Sequence, residues 1–110
     1  MKYINNTFKI EKINLNKLAN KFGTPLYCYS YKKLKQNIDN FKLNFKTFSP
    51  LICFATKANS NLKILNEIKK NGLGADVVSK GELIKALKAG INSKKIVFSG
   101  VGKTSSELSY

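Results

Sequence analysis

LICFATKANSNLKILNEIKKNGLGADVVSKGELIKALKAGINSKKIVFS, residues 51–99, decides the fold. It contains three short apolar runs, 51–56 (LICFAT), 74–78 (GADVV) and 96–99 (IVFS), separated by two segments of helical periodicity. The first run is continuously apolar, the pattern of a strand buried on both faces. The segment 61–70 brings Leu62, Leu65 and Ile68 to one side and stops at Asn71-Gly72. The segment 80–89 does the same with Leu83, Ile84 and Leu87 and stops at Gly90. Strand, helix, strand, helix, strand with short connections predicts a parallel sheet with right-handed crossovers. Thr104, followed by Glu107, reads as a capping box opening one more helix.

Working outward to the N-terminus, residues 3–10 (YINNTFKI) alternate loosely and suggest a strand, and 14–22 (NLNKLANKF) a short helix closed by Gly23. Thr24-Pro25 breaks the chain ahead of PLYCYS, read as a strand over 25–29. Ser30 suits the N-cap of a helix whose apolar residues Leu34, Ile38, Phe41 and Phe45 form one stripe. Three buried parallel strands need neighbours at both edges, and a complete eight-stranded barrel takes about 250 residues. The expected fold class is therefore α/β, the first strand-helix units of a parallel (β/α)8 barrel, with these 110 residues a piece of a longer protein. The alternative, a small complete domain, would leave a strand edge exposed and prone to aggregation.

Composition is that of a folding chain: 43% hydrophobic and 24% charged, with 2 prolines and 7 glycines. The formal charge of +14 raises the question of nucleic acid. All 20 basic residues are lysine, however, and arginine is the side chain suited to bidentate phosphate and base contacts. Stacking on single strands would also require surface aromatics interleaved with lysine. Phe8, Tyr27, Phe41, Phe54 and Phe98 instead fall in apolar runs, so the excess reads as a solvated surface and no nucleic-acid partner is expected. No apolar run suits a signal peptide or approaches the roughly 20 residues of a membrane span. The expected location is cytoplasmic. Cys28 and Cys53 lie in apolar runs and, without histidine in the chain, read as core thiols and not as metal ligands or nucleophiles.

In parallel α/β folds, functional residues project from the C-terminal ends of strands. The sequence offers three such ends, Lys57-Ala58-Asn59-Ser60, Asp76 to Lys80, and Ser99-Gly100-Val101-Gly102-Lys103. Lys57 follows six apolar or near-apolar residues, and at the rim of a low-dielectric core the charged ammonium is disfavoured, which leaves a neutral amine that can be a nucleophile toward aldehydes. A lysine that simply reaches solvent fits that position as well. SGVGKT is not a Walker loop, because the position that needs the first glycine is Val97. Gly100 and Gly102 there allow a tight turn, or close approach to an anion.

Four blocks in order, FGTPLYCYS, CFATKANSN, GLGADVVSKGEL and KKIVFSGVGKTSSEL, resemble the opening of diaminopimelate decarboxylases, within the alanine-racemase-like, fold-type III class of pyridoxal-phosphate enzymes. The resemblance covers residues 13–110. It implies a pyridoxal 5'-phosphate cofactor carried covalently by Lys57, which falls on the lysine of the family's tyrosine-alanine-valine-lysine-alanine-asparagine block. Phe54 and Thr56 depart from that block without touching the amine. Asp76 matches an acid that lies near the cofactor lysine in the wider class. Asn59 either contacts the cofactor or closes the turn, and Ser79 either lines the site or caps the next helix. Glu82 also matches an acid of the block, but Ser79-Lys80-Gly81-Glu82 is a capping box in its own right.

The resemblance further implies a homodimer, a small amino-acid substrate, and a second β-domain to which a strand within residues 1–24 would belong, with 25–110 opening the barrel. Most of the site would lie further along the chain, so the 110 residues alone are expected neither to decarboxylate nor to hold cofactor tightly. Ornithine- and arginine-type decarboxylases would carry alanine-asparagine-proline-cysteine-lysine where this chain has Ser99 to Lys103. Alanine racemases would follow the lysine block with tyrosine-glycine-histidine where this chain has ANSN.

Overall fold

The computed structural model describes residues 2–4 and 7–110. The chain divides into two compact units, Met1–Asn44 and Phe45–Tyr110.

In the first unit, β1 (Lys2–Ile4), β2 (Thr7–Ile10) and β3 (Ile13–Asn14) form an antiparallel sheet in that order. The single strand read over 3–10 is therefore two strands, with Tyr3 opposite Phe8 and their rings 4.9 Å apart. An alternating pattern survives a reversal of the chain, because paired residues keep their faces, so periodicity alone does not reveal the hairpin. The turn into β3 places Glu11 at φ +57°. Helix α1 (Leu15–Phe22) starts at Asn14, whose side chain accepts the Asn16 N–H at 2.8 Å. It ends at Gly23, where φ of +80° favours glycine as the sequence suggests.

The run 25–29 forms no strand among the described residues, and it begins at a cis Thr24-Pro25 peptide. Apolar content alone does not make a strand, which needs a ladder partner for its backbone. Helix α2 (Tyr31–Asn44) begins at Ser30, whose hydroxyl accepts the Lys33 N–H at 3.0 Å. Of its anticipated apolar stripe only Ile38 is buried, Leu34 is half-buried and Phe41 is exposed. Phe45 lies just past its end.

The second unit carries the predicted repeat: β4 (Cys53–Ala55), α3 (Leu62–Lys70), β5 (Gly74–Val77), α4 (Lys80–Lys88), β6 (Ile96–Phe98) and the single turn α5 (Ser105–Leu108). The strands are parallel in the order β4-β5-β6. Ala75 and Val77 on one face of β5 are wholly buried, as are Leu65, Ile68 and Ala86 on the helices. Helix α4 packs on β5 and β6, and α3 packs on α4. This is the unit's core, and truncating a fully buried leucine in it would cost about 2–5 kcal/mol.

On the opposite face the register aligns Ala55, Asp76 and Val97 across the three strands. That face is only partly covered, with Val97 47% exposed, so β4 is half-buried where the sequence suggested burial on both sides. Cys53 and Cys28 are likewise half-buried free thiols. Burial, and then the negative charge of Asp76, push the Cys53 thiol up from its ordinary value.

Candidate active site

Lys57 stands at the C-terminal end of β4, inside a short 3-10 turn over Thr56–Ala58 that the Asn59 N–H closes onto the Thr56 carbonyl at 3.1 Å. Its side chain is exposed, so the low-dielectric rim invoked from the apolar run is not built by the residues described. One strand over, Asp76 is near the C-terminal end of β5, paired in register with Ala55 two residues before Lys57. Asp76 Oδ1 is buried and has no hydrogen-bond partner among the described residues. A buried carboxylate oxygen left unpaired is costly, and it fits an environment completed by a donor or cation from elsewhere.

Asn59 uses its side-chain oxygen to accept the Asn61 N–H at 3.0 Å, and Asn61 in turn accepts the Lys63 N–H at 2.9 Å. Its oxygen therefore shapes the entry into α3. Ser60, next in line, accepts a hydrogen bond from Lys85 Nζ at 2.8 Å, which ties the segment after Lys57 to α4. Ser79 is the N-cap of α4, and its Oγ accepts the Glu82 N–H at 3.3 Å. The reciprocal half of the anticipated box is shifted by one residue: the Glu82 carboxylate accepts the Val78 N–H at 2.9 Å. Glu82 is thus structural, and Ser79 has a capping role as well as a place at the strand end.

Glu107 has the widest reach of the acids in this unit. With Thr104 it forms the predicted capping box of α5, and its other oxygen accepts the Lys80 N–H at 3.1 Å. The Val78, Lys80 and Glu82 amides at the start of α4 thus all donate to protein oxygens. These three donors are already engaged, unlike those of anion sites built on open helix N-termini. Gly100 is buried, and a Cβ there would collide with the Val78 carbonyl oxygen. Its glycine serves close packing of the loop after β6 on the loop after β5. Sequence reasoning found Glu107 as a cap and Gly100 as a turn residue. It missed both contacts with residues 78–80, which no local pattern encodes.

Residues 31–110 match the sequence model of the pyridoxal-dependent decarboxylase family, pyridoxal binding domain. The chain belongs to that family. It is 52% identical over 95 residues to a diaminopimelate decarboxylase of Helicobacter pylori, covering 86% of this chain and 24% of that protein. The crystal structure of a diaminopimelate decarboxylase from M. jannaschii superposes with a TM-score of 0.92 at 40% identity, over 97% of this chain and 26% of that one. The Helicobacter pylori enzyme complexed with L-lysine gives 0.81 at 49% identity, over 86% and 24%. The chain spans about a quarter of the length of these relatives. Its alternating parallel strands and helices are an incomplete portion of the family's (β/α) barrel.

The cofactor of the family is pyridoxal phosphate, and the residues present fit it in part. Lys57 supplies an accessible amine at a strand end, and Asp76 supplies a buried oxygen that lacks a donor. For the phosphate, the Val78, Lys80 and Glu82 amides at the start of α4 are already taken by protein oxygens.

Proposed function

We propose that the protein carrying this chain removes a carboxyl group from meso-2,6-diaminopimelate to give L-lysine, the last step of lysine biosynthesis. The observation that carries this reading is the identity of 40–52% to several proteins named diaminopimelate decarboxylase, spread over nearly the whole chain. The likeness to a relative complexed with L-lysine supports the assigned product.

In this reading Lys57 would hold pyridoxal phosphate covalently through its side-chain amine. When bound, the cofactor supplies an electron-withdrawing ring that takes up the electron pair left behind as carbon dioxide departs. Asp76 would hold a positive charge or an N–H at the site, a role supported by its unpaired buried oxygen and by its pairing with Ala55, two residues before Lys57. Asn59 and Ser79 line the two strand ends, through their side-chain nitrogen and hydroxyl respectively, while their oxygens shape the helix starts. Residues 25–110 open the barrel, and residues 1–24 contribute a strand to a β-domain completed further along the chain. The full-length protein works as a cytoplasmic homodimer.

The test is a substrate panel. A chain extended to the length of the relatives, supplied with pyridoxal phosphate, should release carbon dioxide from diaminopimelate and form lysine, while ornithine, arginine and alanine react poorly or not at all. Preferential turnover of ornithine or arginine, or racemisation of alanine, would reject the substrate assignment.

A further inference from the structure

The segment that follows β6 meets the turn between β5 and α4 at three independent points. Gly100 lies so close to the Val78 carbonyl that only glycine fits. The Glu107 carboxylate accepts the Lys80 N–H at 3.1 Å while its second oxygen accepts the Thr104 N–H at 3.0 Å and the Thr104 hydroxyl at 3.0 Å. The Lys80 ammonium sits over the Tyr110 ring, 4.3 Å from its centroid. All three contacts fall on residues 78–80, which begin two residues after Asp76 and flank Ser79. On its own side the turn is held by the Ser79 and Glu82 caps and by the Leu83 N–H on the Ser79 carbonyl, all within the start of α4, so the contacts from residues 100–110 tie it to a separate element.

We propose that residues 100–110 form a clasp on the turn after β5, and that Glu107 is a positioning residue for the cofactor site, acting through the Lys80 backbone on Asp76 and Ser79. The inference rests on the reading above that those two residues face the cofactor. Glu107 suits the task because a carboxylate has two oxygens, and here one serves each side of the junction. Its hydrogen bonds to Thr104 and Lys80 hold it below the ordinary glutamate range, so it is charged throughout neutral pH. A glutamine has the same shape but keeps only one acceptor oxygen, and its amide would face a backbone N–H on the other side.

The test uses the full-length protein loaded with pyridoxal phosphate, comparing wild type, Glu107→Gln and the control Glu67→Gln, whose carboxylate pairs with Lys70 within α3, away from residues 78–80. Glu107→Gln should lose cofactor about tenfold faster, the scale set by one charge-assisted hydrogen bond. The visible circular dichroism of its bound cofactor should also change, while Glu67→Gln matches wild type in both. Loss rates and spectra indistinguishable among the three proteins, or altered equally in both variants, would overturn the clasp. Should Glu107→Gln fail to fold, hydrogen exchange in wild type decides: the Lys80 amide should be protected, and exchange at the rate of an open chain would refute the proposal. A wild-type protein that binds no pyridoxal phosphate would instead overturn the functional reading on which the clasp rests.

Discussion

Thr56 and Asp76 each bury an oxygen that has no partner among the described residues, yet the two have different explanations. Asp76 lies near the end of β5, beside the strand that presents Lys57, where a cofactor donor would complete it in the functional reading. Thr56 is wholly buried, and the related block carries valine at its position. Its hydroxyl is therefore desolvated without return, which costs on the order of 1–2 kcal/mol. Thr56→Val in the extended chain should raise the free energy of unfolding by about that amount in urea denaturation, because valine keeps the branched shape and removes the unpaired polar atom. A loss of stability would show that Thr56 Oγ1 has a partner in the complete protein. Lys57, by contrast, was legible as a site residue only through the family blocks. Its strand position is shared by any lysine that reaches solvent, and its exposure does not single it out.

At the scale of elements, helix starts in this chain are completed by acids from far along the sequence. Glu11 accepts the Ser30 hydroxyl at 2.8 Å and the Lys32 N–H at 2.9 Å, reinforcing the N-cap of α2 from 21 residues away. The hydrogen bond from the Lys32 backbone, then that from Ser30, lowers the Glu11 carboxyl below the ordinary value of 4.5. A carboxyl with a depressed folded value stabilises the fold fully above the unfolded value and loses that contribution as pH falls through the folded one. Hydrogen-exchange protection at Lys32 should therefore decline only below about pH 4.5. In Glu11→Gln it should be weaker at neutral pH and lack that decline, and an unchanged profile would remove Glu11 from the cap.

These caps also mark where sequence reading stops. The strands around 53–55, 74–77 and 96–98 and the helices between them follow from apolar runs and periodicity, which are local. So do the caps at Ser30 and Thr104, whose partners lie three residues away. The antiparallel pairing of β1 with β2, the lack of a strand over 25–29 among the described residues, and the reach of Glu11 and Glu107 depend on which distant backbone arrives alongside. Of the candidate site, the strand ends carrying Lys57, Asn59, Asp76 and Ser79 were legible. The Glu107 contact to Lys80, across 27 positions, was not.

For the whole molecule, a family match over residues 31–110 and a length about a quarter that of its relatives define what the chain contributes. Its second unit presents two strand ends, one with the lysine and one with the acid, and a third loop that packs on the second. Its surface excess of charge is carried by lysine alone, and no described helix is long and apolar enough to cross a membrane. The central claim is that Lys57, among 20 lysines, is the residue that carries pyridoxal phosphate. Reduction of the extended, cofactor-loaded protein with borohydride, followed by peptide mass spectrometry, tests it directly. The pyridoxyl adduct should map to Lys57 and disappear in Lys57→Ala; an adduct on any other lysine, with Lys57 unlabelled, would contradict the account.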